Sequence, residues 1–216
     1  YYWRKLQYMK LVIIDYGMGN IKSITSAFKY LNVNDITISN KYSEIKSADK
    51  LILPGVGSFA KAVEKINKLD LQKILDEIVL ENKKPVLGIC LGMQLLCNSS
   101  EENSSEENSS INGFGYIDAE CKRFNIQELK VPHVGFNQVR VNNNSKLYDG
   151  FSEENDFYFT HSYRVQSNTS INQSICIYGE EFISSYEVGN IAGTQFHPEL
   201  SQTNGLKLLK NFLEKF

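Results

Sequence analysis

Through its first half the chain alternates short apolar bursts with segments of helical period, and that alternation restricts its fold more than any other feature. LVIID at 11–15, KLIL at 50–53 and PVLGI at 85–89 are apolar on consecutive positions, as strands covered on both faces are, and DITIS at 35–39 adds a fourth strand. Between them, NIKSITSAFKYL at 20–31 puts Ile21, Ile24, Phe28 and Leu31 on one helical face, and SFAKAVEKINKL and LQKILDEIVLEN supply two more helices. Strands alternating with helices predict an α/β fold: a doubly wound, mostly parallel sheet with helices on both faces, flavodoxin-like. Leu91–Cys97 begins a further helix. From Gly115 the pattern changes to strands bounded by turn signals: YIDAECKRF, HVGFNQVRV, DFYFTHSYRV, QSICIYG, FISSYEV and NIAGTQF. These predict extra antiparallel strands in the second half, closed by an amphipathic helix over TNGLKLLKNFLEKF.

The 216 residues suit one domain over 9–216, with residues 1–8 (YYWRKLQY) as an upstream extension or expression remnant and Met9 as the natural start. A net charge of −2 speaks against nucleic acid or another polyanion as partner. Four cysteines without a CxxC pair suggest neither zinc nor redox chemistry, and a reduced, cytoplasmic setting follows. No apolar run approaches the ~20 residues that span a bilayer. The stretch NSSEENSSEENSS at 98–110 repeats SSEEN in tandem and reads as a solvated loop without a binding role.

In an open doubly wound sheet, ligands bind beyond the carboxyl ends of the strands. Four unusual stretches fall there: DYGMGN (15–20), PGVG (54–57), Cys90, and HPE (197–199). Gly88-Ile89-Cys90-Leu91-Gly92 is a G-x-C-x-G form of the nucleophile elbow, whose sharp strand-to-helix turn lifts the reactive side chain out of the sheet. A helix N-terminus favours the thiolate of a cysteine whose reference pKa is ~8.5. Cys97, Cys121 and Cys176 lack that context and read as core residues. The base is His197: Pro198 biases it to extended geometry, so His197 and Glu199 project to one side and the carboxylate can orient the imidazole. His133 and His161 have no nearby acid and read as locally hydrogen-bonded. PGVG can point amide N–H groups at developing negative charge. DYGMGN is no dinucleotide fingerprint, because Lys22 stands where G-x-G-x-x-G needs its last glycine.

Together these residues resemble the class I, or triad, glutamine amidotransferases: GICLGMQLL matches the family's nucleophile motif and QFHPE its His–Glu motif. More narrowly, IDYGMGNI, LPGVGSF, VPHVGFN, YFTHSY and QFHPELSQTNGLKLL occur in the order found in glutaminase subunits of the imidazole glycerol phosphate synthase type, over Met9 to Phe216. The resemblance implies that Cys90 attacks the side-chain amide of L-glutamine, that His197 protonates the leaving ammonia and then activates water, and that Glu199 orients His197. It implies an oxyanion hole from the amides of Val56 and Leu91, the former flipping before it donates. It implies glutamine contacts from Gly55, Gly57, Gln94, Ser162 and Tyr163, and a partner interface at Asn20, His133, Phe136 and Leu200. The implied partner is a (βα)₈ cyclase subunit in a heterodimer, which receives channelled ammonia to make imidazole glycerol phosphate in histidine biosynthesis. The implied cofactor and metal requirement is none. Leu200 stands where the family has a lysine that pairs with a partner acid, and Phe136 where it has tryptophan. Both departures concern the partner-facing side and raise an alternative: the same chemistry feeding ammonia to an acetamidino-sugar system. A stand-alone cysteine hydrolase and a non-catalytic member of the same architecture are the readings from other classes.

Overall fold

The computed structural model describes residues 8–102 and 109–216. Residues 1–7 of the expected extension and the second SSEEN copy lie outside them. Strand β1 (Lys10–Ile14) pairs in parallel with β2 (Asp35–Ser39) and β3 (Lys50–Leu53), β3 with β4 (Val86–Ile89), and β4 with the late strand β13 (Ile191–Thr194). The parallel half therefore runs β2-β1-β3-β4-β13.

Side-chain alternation along these strands divides the core into two layers. Val12, Ile14, Leu51, Leu53 and Val86 face one way, against Ile45 of α2 (Tyr42–Ser47), Phe59, Ala62 and Ile66 of α3 (Phe59–Lys68), and Leu71 and Leu75 of α4 (Leu71–Leu75). Leu11, Ile13, Ile52, Leu87 and Ile89 face the other way, against Ile24 and Phe28 of α1 (Ile21–Tyr30) and Leu208, Leu209 and Phe212 of the C-terminal helix (Gln202–Lys215). The doubly wound arrangement expected from the sequence is present, and its cause is that the strands are apolar on both faces.

The second half extends the sheet with antiparallel pairs. Beyond α5 (Leu91–Leu95) come β5 (Cys97–Ser100), β6 (Ile111–Asn112), β7 (Ile117–Arg123), β8 (His133–Arg140), β9 (Glu154–His161), β10 (Tyr163–Gln166), β11 (Ser174–Tyr178) and β12 (Glu180–Val188). From β13 the sheet continues β12-β10-β7-β5-β6, while β11 leads off β12 to β8 and β9.

Several local expectations need correction. The helix begun at Leu91 stops at Leu95, and Cys97 already belongs to β5, which pairs in parallel with β7. The loop expected at 98–110 therefore opens as a strand whose Ser100 is buried. Backbone pairing, which needs no apolar side chain, holds this polar segment. DFYFTHSYRV is two strands broken at Ser162, α2 had no clear periodic signal, and Asp76–Glu81 winds as π-helix. Among the described residues no helix is long and apolar enough to cross a membrane.

Candidate active site

The nucleophile position is built by backbone crowding. Cys90 has φ 53° and ψ −108°, far from ordinary strand or helix geometry, between β4 and α5. Its amide donates to the Thr194 carbonyl at 2.7 Å, pinning the turn to the end of β13. A Cβ on Gly88 would lie 2.7 Å from the Met93 nitrogen, and one on Gly92 would lie 1.9 Å from the Leu53 carbonyl oxygen. Only glycine lets the turn close on itself and on β3.

His197 follows β13 in extended geometry (φ −97°, ψ 96°), with Pro198 opening a short 3₁₀ turn over Pro198–Leu200. Its amide donates to the Tyr158 carbonyl at 2.9 Å, and its own carbonyl accepts from the Ser201 hydroxyl at 2.7 Å. His197 Nδ1 lies 2.9 Å from Glu199 Oε1, both side chains being buried. Burial opposes charge on this imidazole, but the Cys90 sulfur and then the Glu199 carboxylate outweigh it and push the pKa up to about 10. Nε2 is buried without a regular hydrogen bond among the described residues, so it is the ring atom left for the sulfur and for a reacting group.

Cys90 and His197 share a cleft of about 490 Å³ with Val56, Gly57, Leu91, Gln94, Ser162 and Tyr163. The structure thus brings together the expected nucleophile, base and oxyanion residues and most of the expected glutamine contacts. Gly57 has φ 101°, a conformation suited to glycine. Gly55 does not line the cleft: a Cβ there would meet Gly92 N at 2.6 Å and Leu91 Cβ at 2.7 Å, so its smallness serves the packing of the elbow. DYGMGN packs on the PGVG loop: a Cβ on Gly19 would lie 2.8 Å from Pro54 Cβ. The Tyr16 hydroxyl donates to the Pro54 carbonyl at 2.6 Å, bracing the PGVG loop.

Of the residues expected to face a partner, Phe136 (51%) and Leu200 (39%) are exposed and Asn20 is partly so. His133 is not: its ring is only 2% exposed, stacked on Tyr178 at 4.0 Å and hydrogen-bonded to His161 at 3.1 Å. The local hydrogen bonding expected of these two histidines is what the structure holds, and it takes the His133 ring away from the surface.

Residues that the sequence did not single out also surround the nucleophile. Gln195, fully buried, directs Nε2 to Cys90 Sγ at 3.7 Å and accepts from Gln94 Nε2 at 2.9 Å. It lies two residues before His197, just past the end of β13, and a long polar side chain after that buried strand was the available signal. Glu102 and Arg123 border the cleft too. Glu102 comes from the first SSEEN copy. Its carboxylate accepts from the Phe59 amide at 3.0 Å at the start of α3, and burial raises its pKa while that hydrogen bond opposes the rise. The neighbouring Glu101 carboxylate accepts from the Arg123 amide, tying the two cleft residues to one segment.

This arrangement matches known proteins over almost its whole length. Residues 12–216 match the family model for glutamine amidotransferase class-I. The chain is 42% identical over 207 residues to the imidazole glycerol phosphate synthase subunit HisH 2 of Vibrio vulnificus, covering 95% of this chain and 94% of that one. It is 40% identical over 208 residues to subunit HisH of Aquifex aeolicus, covering 96% and 97%. Among solved structures, a glutamine amidotransferase superposes with a TM-score of 0.68 at 17% identity (94% and 97% covered), which speaks to the fold alone. The Cys90 elbow, the His197–Glu199 pair and the match over residues 12–216 lead to one conclusion: the chain belongs to the class I glutamine amidotransferases.

Proposed function

We propose that the chain is a glutaminase subunit that hydrolyses L-glutamine to glutamate and ammonia and passes the ammonia to a (βα)₈ cyclase subunit, which makes imidazole glycerol phosphate in histidine biosynthesis. The observation that carries the chemistry is the buried Glu199–His197 pair beside Cys90. The names of the relatives support the pathway.

In this reading the Cys90 sulfur attacks the side-chain carbonyl carbon of glutamine, and the negative charge on the oxygen is met by the backbone N–H groups of Val56 and Leu91. Imidazolium at His197 gives its proton to the departing nitrogen, so ammonia leaves and a glutamyl thioester remains. His197, now neutral, takes a proton from water as that water attacks the thioester, which returns the sulfur and releases glutamate. Glu199 holds Nδ1–H, so that Nε2 serves both steps. The carboxylate of Glu102 and the guanidinium of Arg123 complement the ammonium and carboxylate at the other end of the substrate. Exposed Phe136 and Leu200 supply apolar surface on the partner-facing side.

The test is glutamine hydrolysis by the pure protein, alone and with the histidine-pathway cyclase of the same organism plus its nucleotide ligand. Strong stimulation supports the pathway. Hydrolysis by Cys90 without stimulation by that cyclase would keep the chemistry and move the partner to the acetamidino-sugar system.

A further inference from the structure

His133 on β8 and His161 on β9 lie directly opposite each other in the antiparallel pair. Their rings are enclosed by aromatic side chains: His133 by Tyr178 at 4.0 Å and Phe159 at 4.8 Å, His161 by Phe182 at 5.1 Å and Phe124 at 5.2 Å. Such a cage could have been closed with two more apolar rings at no desolvation cost, yet it contains two polar ones.

The hydrogen bonds around them admit one direction only. His161 Nδ1 lies 2.8 Å from the Tyr163 carbonyl, which can only accept, so Nδ1 carries the proton and Nε2 is bare. His133 Nδ1, 3.1 Å from that bare nitrogen, must then donate. His133 Nε2 is bare in turn and faces the Asn137 amide nitrogen at 3.4 Å. This chain needs both rings uncharged. Burial lowers the His133 pKa to about 4. Burial also lowers that of His161 to about 3, with the Tyr163 carbonyl opposing and the charges of His133 and His197 adding to the fall.

The chain does not end at Tyr163. The same carbonyl accepts from Gln94 Nε2 at 3.0 Å, the second hydrogen of that amide goes to Gln195 Oε1 at 2.9 Å, and Gln195 Nε2 faces Cys90 Sγ at 3.7 Å. Every amide orientation between the histidine pair and the sulfur is thereby set.

We propose that His133 and His161 are positioning residues for the glutaminase reaction: through the Tyr163 carbonyl, Gln94 and Gln195 they hold the amide donor that faces the Cys90 sulfur. The proposal rests on the reading of Cys90 as the nucleophile. It assigns the two buried rings work in catalysis through other groups, and because His161 also borders the cleft, the double-mutant cycle is what separates this route from a direct contact.

Variant kinetics, nitrogen NMR and alkylation of Cys90 test it. His161→Phe fills the aromatic cage but cannot donate, and it lowers kcat/KM for glutamine about 10- to 100-fold, the scale of a broken buried network. His161→Asn, which places an N–H near the original Nδ1, recovers most of that loss. In a double-mutant cycle with Gln195→Met, the two losses are strongly non-additive, because both break one chain. Wild-type-like kcat/KM in His161→Phe, or losses that simply multiply, overturns the proposal. Nitrogen NMR of the unaltered protein provides the check that needs no variant: both rings are in the neutral Nδ1–H form at pH 7, and an Nε2–H form of either ring overturns the chain. A wild type without Cys90-dependent glutamine hydrolysis would instead overturn the functional reading, and alkylation of Cys90 by iodoacetamide, expected to slow in His161→Phe, still decides the positioning. Unchanged alkylation there counts against it.

Discussion

Gly92 packs so closely on Leu53 that an added Cβ would stand 1.9 Å from the Leu53 carbonyl oxygen. The obstacle is backbone on a buried central strand, which cannot move aside as a side chain would. Gly92→Ala is therefore expected to cost about 3 kcal/mol or more, read as a lower urea midpoint. It should also lower glutaminase activity in the molecules that fold, because α5 must shift away from β3. A midpoint equal to that of the wild type would contradict the packing described.

Removal of the sulfur or the imidazole is expected to stop the amide chemistry. Cys90→Ala and His197→Ala should each reduce glutamine hydrolysis by about 10⁴-fold or more. Ammonia-dependent synthesis by the proposed cyclase partner, which bypasses the glutaminase, should survive in both. Steady-state glutamate release together with an ammonia-supplied assay checks this, and glutaminase activity persisting in Cys90→Ala would end the proposed mechanism.

The His197–Glu199 pair makes a pH prediction with a definite sign. The His197 pKa is pushed up to about 10, above the ordinary histidine value, so the imidazolium is retained below that pH and lost as pH rises through it. The kcat/KM profile should thus have its alkaline limb at about pH 10. Glu199→Gln removes one of the charges that hold the proton, so the limb should move to lower pH and the rate should fall roughly 10²- to 10⁴-fold. An alkaline limb that does not move would show that Glu199 has no hold on that proton.

Glu102→Gln separates charge from capping. The amide oxygen of Gln can still accept from the Phe59 amide, so stability should change little. The negative charge in the cleft is lost, and KM for glutamine should rise about 10- to 100-fold with a smaller effect on kcat. Unchanged KM would remove Glu102 from substrate recognition.

The elbow, the His–Glu pair and the doubly wound half were legible in the sequence because each depends on neighbours along the chain. Gly88 and Gly92 flank Cys90, Glu199 is two residues from His197, and apolar runs such as Leu11–Ile14 announce strands buried on both faces. These are short-range patterns, and local sterics and burial suffice to explain them.

What only the tertiary structure decided are contacts between distant segments. Glu102 reaches the cleft because β5 pairs with β7, and a polar run with no hydrophobic period carries no sign of that pairing. Gln195 meets Cys90 across 105 positions, and His133 meets His161 across a strand pair. Sequence alone determined which residues could react. Long-range backbone pairing, blind to side-chain polarity, decided which residues would surround them.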